Sequence, residues 1–284
     1  MPRQATIASF GYPPLNPALL LPIYRAAGCL RCQVSRNPDA PFRPSQAITA
    51  CGDAGVEIDS LHGLFGLDLD PSCPDEPARK RAVDVYRAEA DLALELDGPY
   101  VVVHPAPFDT ATAPPLSERE RSLRTTAMRK SMDDLAAIGE RAGVTYLIEN
   151  LPTLARFGTD PLTLSDMVRA VGSDRVRLCF DTGHAHLVAH EHGLSASQLL
   201  DRCAGVVTCM HLHDNDGQSD SHLLPGRGTL DWKAMGASMA NLAADLPAAV
   251  EVFVEADDLA RADLSVLRGL FTARSGARLE HRSA

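Results

Sequence analysis

The residues most suited to chemistry follow one apolar run near position 210. Residues 205–209 have the length and β-branching of a buried strand, and residues 210–217 continue from them with two His, two Asp and one Asn. On a strand, side chains two positions apart face the same way, so His211 and His213 are expected on one side. Imidazoles beside carboxylates can hold a transition metal or move protons. This stretch therefore predicts a catalytic or metal site.

Titratable residues also end five other apolar runs, namely His62, His104, Glu149, Asp181 and Glu255. Three carboxylates about 6 Å apart at an effective dielectric constant of about 20 repel by roughly 3 kcal/mol per pair. A total stability of about 5–15 kcal/mol tolerates that repulsion poorly, whereas a bound cation reverses it. We therefore predict one divalent metal (Mn, Zn, Co or Mg) held by Glu149, Asp181, His213 and Glu255.

The chain that must position these residues alternates strands and helices throughout. Strand-like segments are predicted near residues 6–10, 30–34, 56–61, 100–104, 145–149, 177–181, 206–213 and 250–255. Helical segments are predicted near residues 17–27, 45–54, 77–96, 117–142, 164–171, 196–202, 232–244 and 259–274. Eight such units predict an α/β fold, a single (β/α)8 TIM barrel over residues 1–277 with a disordered tail at 278–284. In such a barrel the carboxyl ends of all strands meet at one mouth.

Residues around the mouth are expected to bind substrate. Asp181 and His184 stand one helical turn apart, and a Gly/Pro-rich loop carries Asp220, His222 and Arg227. We predict His184, Asp220, His222 and Arg227 as substrate-binding residues, with His62 and His104 at the rim. For His211, one pleat deeper than His213, a hydrogen-bonding role is expected.

Composition narrows the classes of function. The chain has 284 residues with a net charge of −10 and no basic cluster, which argues against nucleic acid as a partner. It contains no run of eighteen apolar residues and no apolar leader, so we expect a cytoplasmic protein without a membrane partner. Seven Cys, an odd number, fit reduced thiols, and the Cys29-x-x-Cys32 pair is expected to be buried. A homo-oligomer is compatible with this composition.

Taken together, the motifs resemble those of the xylose-isomerase-like barrels. They are Glu149-Asn150, Asp181-x-x-His184, His211-x-His213, the loop Asp220-x-His222-x-x-Pro-Gly-x-Gly and Glu255. The resemblance covers about residues 62–255 and implies a metal-dependent isomerase or epimerase acting on a carbohydrate-like substrate through an enediolate. By the same resemblance, Glu149 and Glu255 both bind the metal and exchange protons with the sugar.

A second resemblance is to the endonuclease IV class of abasic-site nucleases, which use three zinc ions. Their nine ligands match His62, His104, Glu149, Asp181, His184, His213, Asp220, His222 and Glu255. This resemblance implies a zinc-dependent phosphodiester hydrolase as the alternative activity. The acidic net charge and the lack of a basic, aromatic surface favour a small substrate. A barrel that binds metal or ligand without turnover is the third class of function considered.

Overall fold

The chain folds into one closed barrel of eight parallel strands. The computed structural model describes residues 4–66, 68–108 and 115–276. Each strand is hydrogen-bonded to the next, and the last returns to the first. The strands are β1 (Ala5–Phe10), β2 (Arg31–Arg36), β3 (Glu57–His62), β4 (Tyr100–Val103), β5 (Thr145–Glu149), β6 (Val176–Asp181), β7 (Val207–Leu212) and β8 (Ala248–Val250). This arrangement confirms the predicted (β/α)8 barrel.

Helices follow the strands and form the outer layer. They are α1 (Pro17–Ala26), α2 (Pro44–Ala54), α3 (Glu76–Glu95), α4 (Glu118–Ala142), α5 (Pro161–Val171), α6 (Thr182–Val188), α7 (Ala196–Cys203), α8 (Trp232–Met239), α9 (Ala256–Arg261) and α10 (Ser265–Gly276). Short 3-10 helices lie at Pro13–Leu15 and Ala189–His192. The predicted tail at 278–284 lies outside the described residues. No helix within the described ranges is long and apolar enough to cross a bilayer.

Local signals explain where the longest helix begins and ends. Ser117 Oγ accepts a hydrogen bond from the Glu120 N–H at 3.3 Å, and the Ser117 N–H donates to the Glu120 carboxylate at 2.9 Å. This reciprocal capping box satisfies two backbone donors at the start of α4. At the other end Gly143 takes a left-handed conformation with φ of 80°, which glycine adopts without a steric penalty.

An apolar layer inside the barrel supports the polar mouth. Val102, Leu147, Cys179 and Cys209 pack together there and are fully buried. Because side chains alternate along a strand, the residues two positions further on face the same interior. Leu147, Cys179 and Cys209 are therefore followed at the mouth by Glu149, Asp181 and His211. The larger core fills the space between the strands and the helices. All seven cysteines are free thiols, and Cys29 and Cys32 are fully buried, as expected.

The predicted position of the last strand is wrong by several residues. We expected a strand at 250–255, but β8 is Ala248–Val250. Its residues pair with Met210, His211 and Leu212 in β7, and the Glu251 N–H extends this ladder by donating to the Leu212 carbonyl at 3.1 Å. The two alanines carry almost no strand propensity, while the valines beyond them do. Pairing with β7 and β1, rather than local propensity, sets the position of β8, and Glu251 therefore lies at the mouth.

Candidate metal centre

Four side chains at the mouth form what we call the acidic centre: Glu149, Asp181, His211 and Glu251. One ligand atom from each lies within 4.8 Å of the others. His211 Nδ1 is 2.7 Å from Glu251 Oε2, 3.1 Å from Glu149 Oε1 and 3.9 Å from Asp181 Oδ2. Asp181 and His211 are neighbours in the β6–β7 register, which places them side by side. Strands three apart around the ring supply Glu149 and Glu251.

Charge is concentrated here with little water to screen it. The side chains of Glu149 and Asp181 are no more than 1% exposed, and that of Glu251 is 16% exposed. Burial would raise the pKa of the Glu149 carboxyl, but the imidazoles of His211 and His104 hold it well below its ordinary value. Burial opposes protonation of His211, yet Glu149 and Glu251 raise its pKa well above the usual range. One proton on His211 therefore balances part of the negative charge.

The arrangement fits a divalent cation. Glu149 Oε2, Asp181 Oδ2 and Glu251 Oε2 are buried oxygens that make no hydrogen bond of good geometry among the described residues, although an imidazole nitrogen lies within 3.9 Å of each. Three buried carboxylates that face only imidazoles are short of positive charge, and a cation among them would supply it. Three carboxylates and one imidazole suit manganese, zinc, cobalt or magnesium. A cation at this point would replace the proton on His211.

Two of the four predicted metal ligands are not in the acidic centre. Glu255 is exposed and precedes α9, with its carbonyl accepting from the Leu259 N–H at 2.9 Å. Glu251, four residues earlier in the chain, takes its place because β8 ends at Val250. His211, which we expected only to hydrogen-bond, lies among the carboxylates, whereas His213 lies one pleat further out. Sequence alternation placed both histidines on one face, but it did not show which of them lies at the depth of the carboxylates, and we chose His213.

Three of the predicted substrate residues, together with the predicted metal ligand His213, form a second group beside the acidic centre. We call His184, His213, Asp220 and His222 the histidine cluster; their ligand atoms also lie within 4.8 Å of one another. Asp220 Oδ1 is 3.4 Å from His184 Nε2 and 3.3 Å from His222 Nε2. The rings of His213 and His222 stack with centroids 3.9 Å apart. Burial opposes protonation of the His184 imidazole, but the carboxylates of Asp181 and Asp220 raise its pKa to about 10.

Asp181 joins the two groups. Its Oδ1 is 2.9 Å from His213 Nε2 and accepts a hydrogen bond from the His184 N–H at 2.7 Å. The turn between Asp181 and His184 requires Gly183, since a Cβ there would lie 2.1 Å from His213 Cε1. The Asp-x-x-His motif is therefore a tight connection in which glycine leaves room for an imidazole.

Backbone carbonyls orient three of the histidines. The Nδ1 atoms of His62, His184 and His222 lie 2.9, 2.8 and 3.1 Å from the carbonyl oxygens of Gly63, Asn150 and Glu251. Because a carbonyl only accepts, each Nδ1 carries hydrogen. In the uncharged ring Nε2 then carries the lone pair, and Nε2 faces a carboxylate in all three cases. This is the arrangement by which proteins orient imidazoles toward metals.

His62 and His104 both approach Glu149. Their Nε2 atoms lie 3.7 and 3.3 Å from Glu149 Oε2, so they border the acidic centre as the sequence led us to expect for rim residues. Burial, and next the neighbouring imidazole of His104, lowers the pKa of His62 to about 4. His62 is therefore uncharged at neutral pH and can offer a lone pair.

A buried polar chain fixes the tautomer of His211. The Asp59 carboxylate accepts from Ser60 Oγ at 2.6 Å, so the Ser60 oxygen must itself accept from Gln33 Nε2 at 3.2 Å. Gln33 therefore turns its carbonyl oxygen to His211 Nε2 at 2.9 Å and accepts a hydrogen bond from it. In the uncharged ring, which is the form that binds a metal, the hydrogen therefore sits on Nε2 and the Nδ1 lone pair faces the carboxylates. Sequence patterns gave no signal for Gln33.

The glycine-rich loop has a structural role that the sequence reading missed. Asp214 Oδ2 accepts from the Gly226 N–H at 2.9 Å and from Trp232 Nε1 at 2.7 Å. A Cβ on Gly228 would lie 2.1 Å from the Asn215 carbonyl oxygen, so only glycine fits there. Arg227, predicted to contact substrate, is instead exposed, and its charge acts on Asp263. The loop holds Asp220 and His222 beside His184, while Arg227 lies on the surface.

A cavity of about 200 Å³ opens beside the acidic centre. Glu251 and His62 form part of its wall, and the rest comes from β1, β2, the segment leading into α1, α1 itself and the residues after β3 and β8. The exposed rings of Phe65 and Phe253 are among these lining residues. A small molecule bound here would contact both the acidic centre and an uncharged wall.

The sequence matches one family model and several uncharacterized relatives. Residues 25–270 match the family model described as xylose isomerase-like TIM barrel. An uncharacterized protein of Methanocaldococcus jannaschii is 30% identical over 178 residues, which cover 62% of this chain and 58% of that protein. An uncharacterized protein of Sinorhizobium fredii is 30% identical over 162 residues, covering 57% and 50%. The chain thus spans between half and three fifths of the length of these two relatives.

Solved structures share the fold at lower identity. A D-tagatose 3-epimerase-like protein has a TM-score of 0.74 at 20% identity, covering 96% of this chain and 98% of that chain. An L-ribulose 3-epimerase has 0.70 at 17% identity over 100% of both chains. A family 2 AP endonuclease from Brucella melitensis has 0.67 at 14% identity, covering 89% and 94%. With the closed barrel and the family match over most of its length, this chain belongs to the xylose isomerase-like TIM barrels.

Proposed function

We propose that the chain is a divalent-metal-dependent isomerase or epimerase of a sugar or a related hydroxy-carbonyl compound. The observation that carries this proposal is the acidic centre, in which ligand atoms of three carboxylates and of His211 lie within 4.8 Å of one another, with Glu149 and Asp181 fully buried. The sugar epimerases among the structural neighbours support the same class of reaction. Glu149, Asp181, His211 and Glu251 would hold the metal.

When bound, the metal would stabilise negative charge that develops on the substrate oxygens. The chain supplies the proton transfers. Glu149 and Glu251 come from β5 and β8, so they approach a bound substrate from different sides. One carboxylate would remove the proton next to the carbonyl, and the other would return a proton to the opposite face or to the neighbouring carbon. Glu251 takes the role that the sequence assigned to Glu255.

The histidine cluster would position hydroxyl groups of the substrate. His184 and His222 share Asp220, which keeps their Nε2 atoms close together on the side of Asp181. Burial would raise the pKa of the Asp220 carboxyl, but these two imidazoles hold it well below its ordinary value. The ionised Asp220 and its two histidines offer both donors and acceptors to a polyol.

The test is incorporation of solvent deuterium into a panel of ketoses by metal-loaded protein. Glu149→Gln and Glu251→Gln are each expected to slow exchange by about 100-fold or more, the usual contribution of a positioned acid or base. Glu255→Gln is the matched control and is expected to keep the wild-type rate because its carboxylate is exposed. Full exchange by both Glu149→Gln and Glu251→Gln would rule the proposal out.

A zinc-dependent phosphodiester hydrolase is the second candidate. The observation in its favour is that the histidine cluster adjoins the acidic centre while His62 lies with Glu149 and His211 within 4.8 Å. These groups could hold more than one metal. Metal analysis separates the candidates, because about one ion per chain favours the isomerase and three zinc ions favour hydrolysis. Cleavage of an abasic oligonucleotide by substoichiometric protein would establish the second activity.

A further inference from the structure

We infer that the substrate carries, on the side away from the metal, an uncharged ring with an apolar face rather than a phosphate group. This inference rests on the proposed function and identifies the class of substrate. It follows from the cavity beside the acidic centre, whose lining, apart from Glu251 and His62, consists of apolar, aromatic and hydroxyl side chains.

The cavity lies on the β1, β2 and β8 side of the barrel. Its inner wall is formed by Ser9, Ser35, Tyr12, Tyr24, Leu15 and Leu20. Tyr24 is 3% exposed and packs in the core with Leu20, so this part of the wall is in place before any ligand binds. Apolar surface with a few hydroxyl groups is typical of pockets for neutral small molecules.

No cation lines this cavity among the described residues. The carboxylate and imidazole groups in its lining belong to Glu251 and His62, both parts of the mouth already described. Arg36 follows Ser35 in the chain, but its guanidinium is paired with the Glu89 carboxylate and lies 5.7 Å from the centre of the Phe42 ring. A phosphate needs charge-assisted donors to replace its water, and this wall offers none.

The wall instead suits the two faces of a sugar-like ring. Phe253 is 64% exposed and Phe65 is 38% exposed, although both side chains are large and apolar. Phe65 stacks on His104 with centroids 4.5 Å apart, and Phe253 lies 4.4 Å from the ring of His222. Exposed aromatic faces beside a polar site are suited to stacking against C–H groups, while the serine and tyrosine hydroxyls can meet the ring's polar edge. A volume of about 200 Å³ leaves room for a single ring.

The test compares compounds that share one ketose and differ only at its sixth carbon. D-fructose is free there, D-fructose 6-phosphate carries a phosphate, and isomaltulose carries a neutral glucosyl ring; the psicose and tagatose series extend the panel. Binding to the full-length metal-loaded protein is measured by saturation-transfer NMR and titration calorimetry. We expect the glucosyl compounds to bind about tenfold or more tightly than the phosphates, with saturation reaching the glucosyl C–H protons.

A protein variant makes the same point from the other side. Ser35→Arg places a cation in the cavity and is expected to improve binding of the 6-phosphate by about tenfold. Ser35→Gln is the control for added size and should not do so. Ser35 is not one of the four residues of the acidic centre, and a Mn²⁺ titration followed by electron paramagnetic resonance checks in each variant that the metal site is retained.

The outcomes separate this inference from the proposed function. Binding of the phosphates as tight as, or tighter than, that of the neutral compounds would overturn the inference and leave the proposed function intact. Saturation confined to the ketose, with none on the glucosyl ring, would also overturn it. If no member of the panel bound or exchanged deuterium, and the protein took up no metal, the proposed function would fail and the inference with it.

Discussion

At the scale of single residues, the acidic centre is defined by which glutamate and which histidine enter it. Glu251→Gln is expected to weaken Mn²⁺ binding by about 100-fold or more, since changes to outer partners alone cost about 10–100-fold. Glu255→Gln should bind as the wild type does, because that side chain is exposed. Titration of both variants with Mn²⁺ against a chelating dye provides the measurement. Equal losses in the two variants would contradict the assignment of Glu251.

Gln33 offers a second test, because it contacts His211 and not the carboxylates. Gln33→Leu removes the acceptor that keeps hydrogen on His211 Nε2, so the tautomer with a free Nδ1 is no longer preferred. We expect a loss of about 10–100-fold in metal affinity and an altered visible spectrum of the Co²⁺-loaded protein. Gln33→Glu keeps an acceptor and should recover most of the affinity. An unchanged Co²⁺ spectrum in Gln33→Leu would exclude a role for Gln33 in positioning.

At the scale of structural elements, the turn from β6 into α6 leaves no space for a larger residue. Gly183→Ala places a methyl group against His213, and overpacking of this kind costs about 1–3 kcal/mol. We expect the free energy of unfolding in urea to fall by that amount. Gly205→Ala is the control, since a Cβ there meets nothing within 4 Å. A Gly183→Ala variant as stable as Gly205→Ala would mean that His213 can move away freely.

The elements also show how far sequence reasoning reaches. Alternation of strands and helices predicted the barrel, and the positions of Glu149 and Asp181 at strand ends predicted that they meet at its mouth. The register of β8 was not predictable, because two alanines give no strand signal and their position depends on pairing with β7 and β1. Gln33 was missed for a related reason. Its partners Ser60 and His211 lie far from it in sequence and meet only when the barrel closes.

At the scale of the whole molecule, the metal-free protein depends on protons to balance its mouth. The pKa of His184 is raised to about 10 in the folded state, against about 6.5 in an unfolded chain. A raised pKa means that the folded state holds the proton more tightly, so its stabilising effect is complete below about pH 6.5 and is lost as the pH rises through about 10.

Thermal unfolding in the presence of a chelator provides the measurement. We expect the midpoint to fall by several degrees between pH 7 and pH 10 in the wild type. The fall should be smaller in His184→Asn, which cannot carry the proton. Adding Mn²⁺ is expected to flatten the profile, because a cation takes over the balancing charge near Asp181. A wild-type midpoint that stays constant or rises from pH 7 to pH 10 would contradict this account.

The shortness of β8 has a consequence for how the ring opens. Its three residues are held to β1 by only two registered pairs, Ala5 with Ala249 and Thr6 with Val250, yet Glu251 follows it directly. A cation shared by Glu251 with Glu149 and Asp181 would link the end of β8, through the barrel interior, to the ends of β5 and β6. Amide hydrogen exchange at 248–251 should then slow markedly when Mn²⁺ is added, while exchange in β3 and β4 changes little. The ion would thus help to keep the barrel closed at β8, in addition to its proposed role in catalysis.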